Sequence, residues 1–596
     1  MPTPSRSPLL LLPGQRVTPR IRPRLRPTVI DLTRHRPDAR ALDRIGIETA
    51  LRHGILPLQP AGAVTPVAVS QPSDFRDALT DLQRALGPVA CCLTDISEIR
   101  AQIVAMRAPT LASRATQRTL PIESCRNWSI QFVGILAMIF ALLAAVLALL
   151  RPDILLGALT AWVGFTLIAV TGLRTIAAVA EMRQAGRLSR NWSSQRRLRQ
   201  PTDQQPFISL LVPLFDEGDI ANRLIKRLDR LEYPQDRLEA LLILEADDFR
   251  TLEALEASEL PDWMQIVRVP PGHVRTKPRA MNYALDFARG EIVGIYDAED
   301  APARDQLLKV ADAFRNAGPE TACVQGVLDF YNARQSWLTR CFAIDYATWF
   351  RLVLPGLVRL GFVIPLGGTT VFFRRDVLDR LGRWDAHNVT EDADLGIRMA
   401  RRGFRVAFVA SVTDEEATAK VAPWVRQRSR WIKGYAVTWA VHMRDPLRLW
   451  GELGAMRFLG FQILFLGTLS QFVLAPLLWT FWLIPFGLPH PLTSLLSWQV
   501  VAGLGATFLI SEIATLGTLA VGVATPRHRW LIKWVPLMHF YFPLGAIASW
   551  KGCAELISKP FFWDKTAHGS SIIRPRGDLS APLPRHPDAA APRRPG

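Results

Sequence analysis

Asp297-Ala298-Glu299-Asp300 follows the apolar run Ile292–Tyr296 and sets carboxylates one residue apart. That spacing lets two side chains share a hard cation through oxygen, and Mg²⁺ or Mn²⁺ held this way keeps positions open for phosphate. Such a cation offsets the charge of a departing diphosphate. The bland reading of the same residues is a solvated turn. Lys277 and Arg279 open a predicted helix in "TKPRAMNYAL". Basic side chains at a helix N-terminus suit a diphosphate. Asp247-Asp248 closes a second apolar run and offers acceptors to a nucleoside base or ribose. Thr390-Glu391-Asp392 lies in "NVTEDADLGIRMARRGF". Either Thr390 or Asp392 caps the helix that follows, or a carboxylate here takes the proton of an attacking hydroxyl. Both can hold at once. Gln427-Arg428-Ser429-Arg430-Trp431 sits on a basic, aromatic helix, whose simplest role is to rest at headgroup depth.

These groups need a scaffold. Residues 206–433 alternate strand and helix patterns. "FISLLVPL" is continuously apolar, as a strand buried on both faces must be. "EALLILEADD" and "GEIVGIYDAED" are apolar strands ending in carboxylates. Ligands of open α/β sheets bind outside the carboxyl ends of strands, so two acidic strand ends predict one shared cleft.

The chain has 596 residues, a hydrophobic fraction of 49% and a net charge of +18. It is too apolar for a disordered tail protein. Its six Cys form no CxxC pair, which argues against a zinc ribbon or a disulfide scaffold. The charge is explained by topology. Ser129–Leu150, Ile154–Leu173, Phe458–Leu488 and Gln499–Ala524 are long apolar runs, the last broken only by Glu512. Each approaches or exceeds the ~20 residues that cross a bilayer core. Arg114, Arg118 and Arg126 precede the first run, and Arg183, Arg187, Arg190, Arg196, Arg197 and Arg199 follow the second, whereas the loop around His490 is free of Lys and Arg. By the positive-inside rule the N-terminus and residues 181–457 face the cytoplasm. A nucleic-acid partner thereby loses its support. Leu9–Leu12 is too short for the apolar core of a signal peptide.

In the order Asp-Asp, Asp-x-Glu, Thr-Glu-Asp, Gln-x-x-Arg-Trp, the four motifs together resemble the D, D, D, QxxRW signature of processive family 2 glycosyltransferases, such as cellulose synthase and hyaluronan synthase. The resemblance runs from Phe207 to Trp431. "VPLFDEG" is similar to that family's P-x-Y-N-E, with Asp216 where Asn is usual, and "TKPRAMNYAL" to its Lys-x-x-x-x-Asn-x-Ala-Leu segment. "IPLGGTTVFFRRDVL" stands where the family has an acceptor-side loop. The resemblance implies an α/β GT-A-type fold, a Rossmann-like mixed sheet in a cytoplasmic domain inserted between transmembrane helices. It implies a UDP-sugar donor and Mg²⁺ or Mn²⁺. Asp247 and Asp248 would hold uridine, with Lys277 and Arg279 beside the donor. Asp297, Glu299 or Asp300 would hold the metal, Asp297 also facing the diphosphate. Asp392 would be the base within the Thr390-Glu391-Asp392 group, and Gln427, Arg430 and Trp431 would sit at the donor–acceptor junction. Phe562, Lys565, Thr566 and His568 loosely resemble a gating loop of cellulose synthases.

Residues 1–38 read as a basic arm, 39–110 as a small α/β domain, 127–180 as two transmembrane helices and 201–434 as the transferase domain. Residues 435–456 read as an interfacial helix, 457–524 as two further spans, 529–569 as an interfacial helix with the gating loop, and 570–596 as a tail. Within the small domain, strands are expected at Ile55–Leu58, Val64–Ser70 and Val89–Thr94. It resembles the N-terminal domain of type II secretion ATPases, some relatives of which bind cyclic di-GMP. The nucleotide-binding repeats are not seen upstream of it, so docking of a regulatory or export protein is the expectation. With no GxxxxGK[ST] loop in the chain, a motor is excluded. The expected activity is inverting transfer from a UDP-sugar to a growing polysaccharide in a bacterial-type inner membrane. The alternatives are single transfer to a membrane lipid, and a secretion-assembly or signalling protein.

Overall fold

The computed structural model describes residues 28–191 and 205–562, of which 28 and 185–191 are described as backbone only. The chain divides into two compact units, before and after Met106.

The first unit holds a four-stranded sheet in the order Thr28–Val29, Val89–Leu93, Thr65–Val69, Ile55–Pro57. Its core is Ile55, Val67, Val69, Ala78 and Leu82, the last two from the helix Pro72–Leu86. Two short helices, Ala39–Ile45 and Ile47–His53, precede the first predicted strand. Thr28–Val29 pairs in parallel with Cys92–Leu93, within the stretch read from sequence as a basic arm. A two-residue strand shows no periodicity, so only its pairing reveals it.

The second unit is built on an eight-stranded mixed sheet. Its order is Met264–Val269, Leu238–Glu245, Ile208–Leu214, Ile292–Ile295, Val371–Arg374, Thr321–Phe330, Arg405–Glu415, Ala301–Pro302. The first four strands are mutually parallel. Val371–Arg374 runs antiparallel to both of its neighbours. Leu238–Glu245 is buried throughout: Ala240–Leu244 is apolar on both faces, as such a strand must be, and buried Glu239 is held by the Ser209 hydroxyl and Arg289. Leu224, Leu228, Leu255, Leu307 and Val310 cover this sheet from three helices, Ala221–Leu228, Phe249–Glu256 and Gln306–Asn316.

Two turns next to the strand ends hold positive φ at residues other than glycine, Asp216 at 53° and Thr370 at 53°. Asp tolerates this region; a β-branched Thr is strained there. Thr370 is held by its N–H to Ile295 O at 2.8 Å and by Gly326 N–H to its carbonyl at 2.9 Å.

Among the described residues six helices are long and apolar enough to cross a membrane: Ile130–Leu150, Pro152–Gln184, Trp337–Arg359, Ala455–Val473, Trp498–Gly522 and Arg529–Ser558. Four coincide with the expected spans. Trp337–Arg359 is the most buried of the six, packed within the protein. Arg529–Ser558, expected as an interfacial helix over 530–550, is a 30-residue helical run. Its leading end is tied to the sheet domain by Arg527 and His528 on Asp329. Its trailing end is tied to that domain by Glu555 on Lys433, at 2.9 Å, and by Phe561 against His387. Glu512 faces His539 at 3.4 Å, a contact between the helices Trp498–Gly522 and Arg529–Ser558.

Candidate active site

The carboxyl ends of Ile208–Leu214, Leu238–Glu245 and Ile292–Ile295 open on one cavity of about 690 Å³. Its wall carries Lys277, Asp297, Glu299, the turn Thr390-Glu391-Asp392, and Gln427, Arg430 and Trp431. Residues far apart in sequence thus share one space of a size that suits a sugar nucleotide.

Lys277 is the second residue of the segment that Thr276 starts, and Pro278 follows it at the first turn of its helix. Its ammonium donates to Asp297 Oδ1 and to Gly368 O, the latter at 2.9 Å. Burial works against the charge, but Asp297, Glu391 and Asp392 more than offset it and hold the Lys277 pKa above its ordinary value. Lys277 therefore stays a fixed cation amid the carboxylates of the site.

Thr390, Glu391 and Asp392 begin the helix Glu391–Arg401. Thr390 occupies the cap position without making a side-chain cap bond, and Asp392 Oδ1 accepts from Ala393 N–H at 2.8 Å. Glu391 is 3% exposed. Burial and then the adjacent Asp392 carboxylate push Glu391 up to about 8, with Lys277 pulling the other way. Burial likewise raises Asp392. A carboxylate raised toward neutrality is a stronger base than one in water. Gly368 leaves the approach open: a methyl there would lie 3.1 Å from Asp392 Oδ2.

Gln427, Arg430 and Trp431 lie on the helix Val421–His442. Trp431 stacks with Tyr346 at 6.3 Å between ring centres. Arg428, between them in sequence, sits 4.7 Å from the Trp431 ring and 4.9 Å from Phe342, and bonds Asp345 and Tyr541. Lys433, on the same helix, also donates to Phe562 O at 3.1 Å, which brings Phe561 and Phe562 onto the cavity wall.

Three expected residues stand elsewhere. Asp248 caps the helix Phe249–Glu256 and accepts from Asp216 N–H at 2.7 Å. Arg279 is 1% exposed and spends its guanidinium on Glu245 and Pro270 O. Asp300 is fully buried; its Oδ2 accepts from Asp297 N–H at 2.8 Å and from Thr369. None of the three lines the cavity. Asp247 is also off the wall but pairs at 2.7 Å with Arg275, which is on it. Arg275, Glu217, Glu245 and Glu415 are wall residues that sequence reading missed. Glu245 was within reach of it, two residues before Asp247 on the same strand. Lys565, Thr566 and His568 lie outside the described residues.

The donor set suits a hard divalent cation. Asp297 and Glu299 offer oxygens on the cavity wall, and Asp300 Oδ1 behind them is buried without a hydrogen-bond partner. Among the described residues no three His, Cys, Asp or Glu converge on one point. Such a cation therefore relies on phosphate oxygens and water for its remaining positions, as Mg²⁺ does.

Residues 205–434 match the family described as Glycosyltransferase like family 2, and residues 24–113 match the MshEN domain. The chain is similar to the probable glycosyltransferase YdaM of Bacillus subtilis, 27% identical, covering 40% of this chain and 57% of that protein. It is 30% identical to a beta-monoglucosyldiacylglycerol synthase of Nostoc, covering 38% of this chain and 49% of that one. To the cellulose synthase 1 catalytic subunit [UDP-forming] of Komagataeibacter xylinus it is 24% identical, covering 46% of this chain and 36% of that one. A solved mannosyltransferase of Pyrobaculum calidifontis, in complex with GDP-Man and Mn2+, aligns with a TM-score of 0.38 and 21% identity over 65% of this chain and 99% of that chain, too distant to argue from. The chain spans about half the length of the curated relatives it matches first. With three of its four motifs on one cavity wall at the strand ends of a mixed sheet, the segment 205–434 is a family 2 glycosyltransferase domain, in a chain that also carries an MshEN domain.

Proposed function

We propose that this protein is a membrane-embedded inverting glycosyltransferase that moves a sugar from a UDP-sugar to a growing polysaccharide. The observation that carries this is one cavity whose wall joins Lys277, Asp297, Asp392, Arg430 and Trp431 and continues to Leu464, Phe472 and Phe542, on helices outside the sheet domain. Donor chemistry and an acceptor path share that space.

Lys277 and Arg430 bind the donor diphosphate as fixed cations. Asp392 takes the proton of the acceptor hydroxyl as that oxygen attacks the anomeric carbon, and the diphosphate leaves in the same displacement. One displacement inverts the configuration. Trp431 offers an aromatic face to the acceptor sugar. A divalent cation bound by Asp297 and Glu299 would neutralise the charge developing on the diphosphate. UDP as the carrier is supported by the UDP-forming relative. A second reading, transfer to a membrane lipid, is favoured by the apolar inner arm of the cavity and by the resemblance to a glycolipid synthase.

The transferase domain is cytoplasmic in this reading, with four spans. The Arg529–Ser558 run lies along the domain, supported by the ties at both of its ends. The domain at 24–113 docks a regulatory or export protein.

The test is to incubate membranes containing the protein with a panel of radiolabelled UDP-sugars and to size the product. A long polymer is expected. A single sugar in the organic phase selects the lipid reading. No incorporation from any UDP-sugar overturns both.

A further inference from the structure

The cavity's inner end is marked by a cation that the transfer chemistry does not use. Arg174, on the helix Pro152–Asn191, lies on the cavity wall. Its guanidinium carbon stands 5.7 Å from the centre of the Trp349 ring. Its Nε is buried without a hydrogen-bond partner, as is Thr175 Oγ1 beside it. Asp345, Tyr435 and Arg428 are ionisable groups near enough to act on it. Asp345 is already engaged by Arg428. Two guanidiniums therefore face one carboxylate, and a positive charge is left over in a partly apolar pocket, where an uncompensated charge is costly.

A second cavity of about 30 Å³ adjoins Arg174; Thr171, Thr175, Thr515 and Asp345, the carboxylate already held by Arg428, are among its lining residues. It has room for about one water. One water there can meet Nε and the Thr175 hydroxyl, but it brings no negative charge. That has to come from the larger cavity.

Depth indicates the source. Pro152 follows the short hairpin between the first two apolar helices. The stretch from Pro152 to Arg174 is about 33 Å long at ~1.5 Å per helical residue. A bilayer's hydrocarbon core is ~30 Å thick. Arg174 therefore stands one membrane thickness from the hairpin, at the level where phosphate headgroups of the catalytic-side leaflet lie. An arginine at that level, open to a cavity with Leu464, Phe472 and Phe542 on its wall, matches a ligand with an anionic head and an apolar tail.

We propose that Arg174 binds the phosphate of a membrane-lipid acceptor and so presents the acceptor hydroxyl to Asp392 from the bilayer side. This rests on the second reading above, transfer to a membrane lipid, and names that lipid as anionic. A guanidinium can grip two phosphate oxygens at once, which a lysine cannot reproduce.

The test measures binding without any sugar donor, so its outcome is independent of whether UDP-sugars are substrates. The purified full chain in phosphatidylcholine nanodiscs is titrated with radiolabelled dodecyl phosphate. Saturable binding is expected, competed by unlabelled dodecyl phosphate but not by dodecanol or by inorganic phosphate at equal concentration. Arg174→Gln is expected to weaken it about tenfold or more, and Arg174→Lys to restore only part. Competition by dodecanol would make the site purely apolar, and competition by inorganic phosphate would make it a site for free anions. Either result overturns the proposal, as does unchanged binding in a folded Arg174→Gln protein. If that variant does not fold, the competition series on the wild-type chain still decides. A failed sugar panel with intact dodecyl phosphate binding would refute the transferase reading alone.

Discussion

At the scale of single residues the site is a balance of carboxylates around one ammonium. In the proposed inverting transfer Asp392 is the base. Asp392→Asn keeps its shape and removes the base, so turnover should fall ~10²–10⁴-fold. Donor affinity, read by equilibrium binding of UDP, should change little. Wild-type turnover would remove Asp392 from the mechanism. Glu391 gives a prediction about stability. Its folded pKa is raised from 4.5 to about 8. A carboxylate raised on folding binds more protons folded than unfolded, so stability falls as pH climbs through the window from 4.5 to about 8. Glu391→Gln removes that loss. Its thermal midpoint relative to wild type should rise progressively between pH 5 and pH 8. A constant difference across that range would show that Glu391 is ionised throughout.

At the scale of elements, the strand ends and one helix do the positioning. Gly434 lets the helix Val421–His442 lie against Thr390, because a methyl at 434 would collide with Thr390 Cγ2 and Oγ1. Gly434→Ala should therefore displace the Thr390-Glu391-Asp392 turn. The expected result is a drop in kcat of ~10-fold or more from misplacement of the base, with the thermal midpoint little changed, since Ala is the better helix former. An unchanged kcat would show that the turn is not held by this contact. The element scale also explains why some expected site residues stand off the cavity wall. Asp248 and Asp300 sit in the expected acidic clusters, but each folds back on its own turn to satisfy backbone N–H groups. A carboxylate next to a strand end can face the cleft or cap the turn, and the residue string does not distinguish the two. Arg279 is only two residues from Lys277, but two residues lie on opposite sides of a helix, and it points to the sheet, where Glu245 and the Pro270 carbonyl receive it.

At the scale of the whole molecule, a transferase cavity is continuous with the space between apolar helices. Metal dependence belongs here, because the protein supplies only part of a coordination shell. Transfer should stop in excess chelator and return with Mg²⁺ or Mn²⁺, measured as sugar incorporation in membranes. Full turnover in chelator would contradict the role given to Asp297 and Glu299.

Periodicity and motif spacing by themselves determined the alternating α/β domain and four apolar helices, and picked out Lys277, Asp297, Asp392 and Trp431, which share the cavity wall. These are local properties: a buried strand must be apolar on both faces, a span must be apolar over its whole length, and a motif is a short string. Tertiary structure alone decided which carboxylates face the cleft. It alone showed that Trp337–Arg359 is packed inside the protein and that Arg529–Ser558 is tied to the sheet domain at both ends. It alone brought Arg174 to the inner end of the cavity. Each of these depends on partners far away in sequence, such as Thr369 for Asp300, Lys433 for Glu555 and Trp349 for Arg174. A hydrogen bond or ion pair between distant residues leaves no period in the chain, and only the folded protein shows which groups it joins.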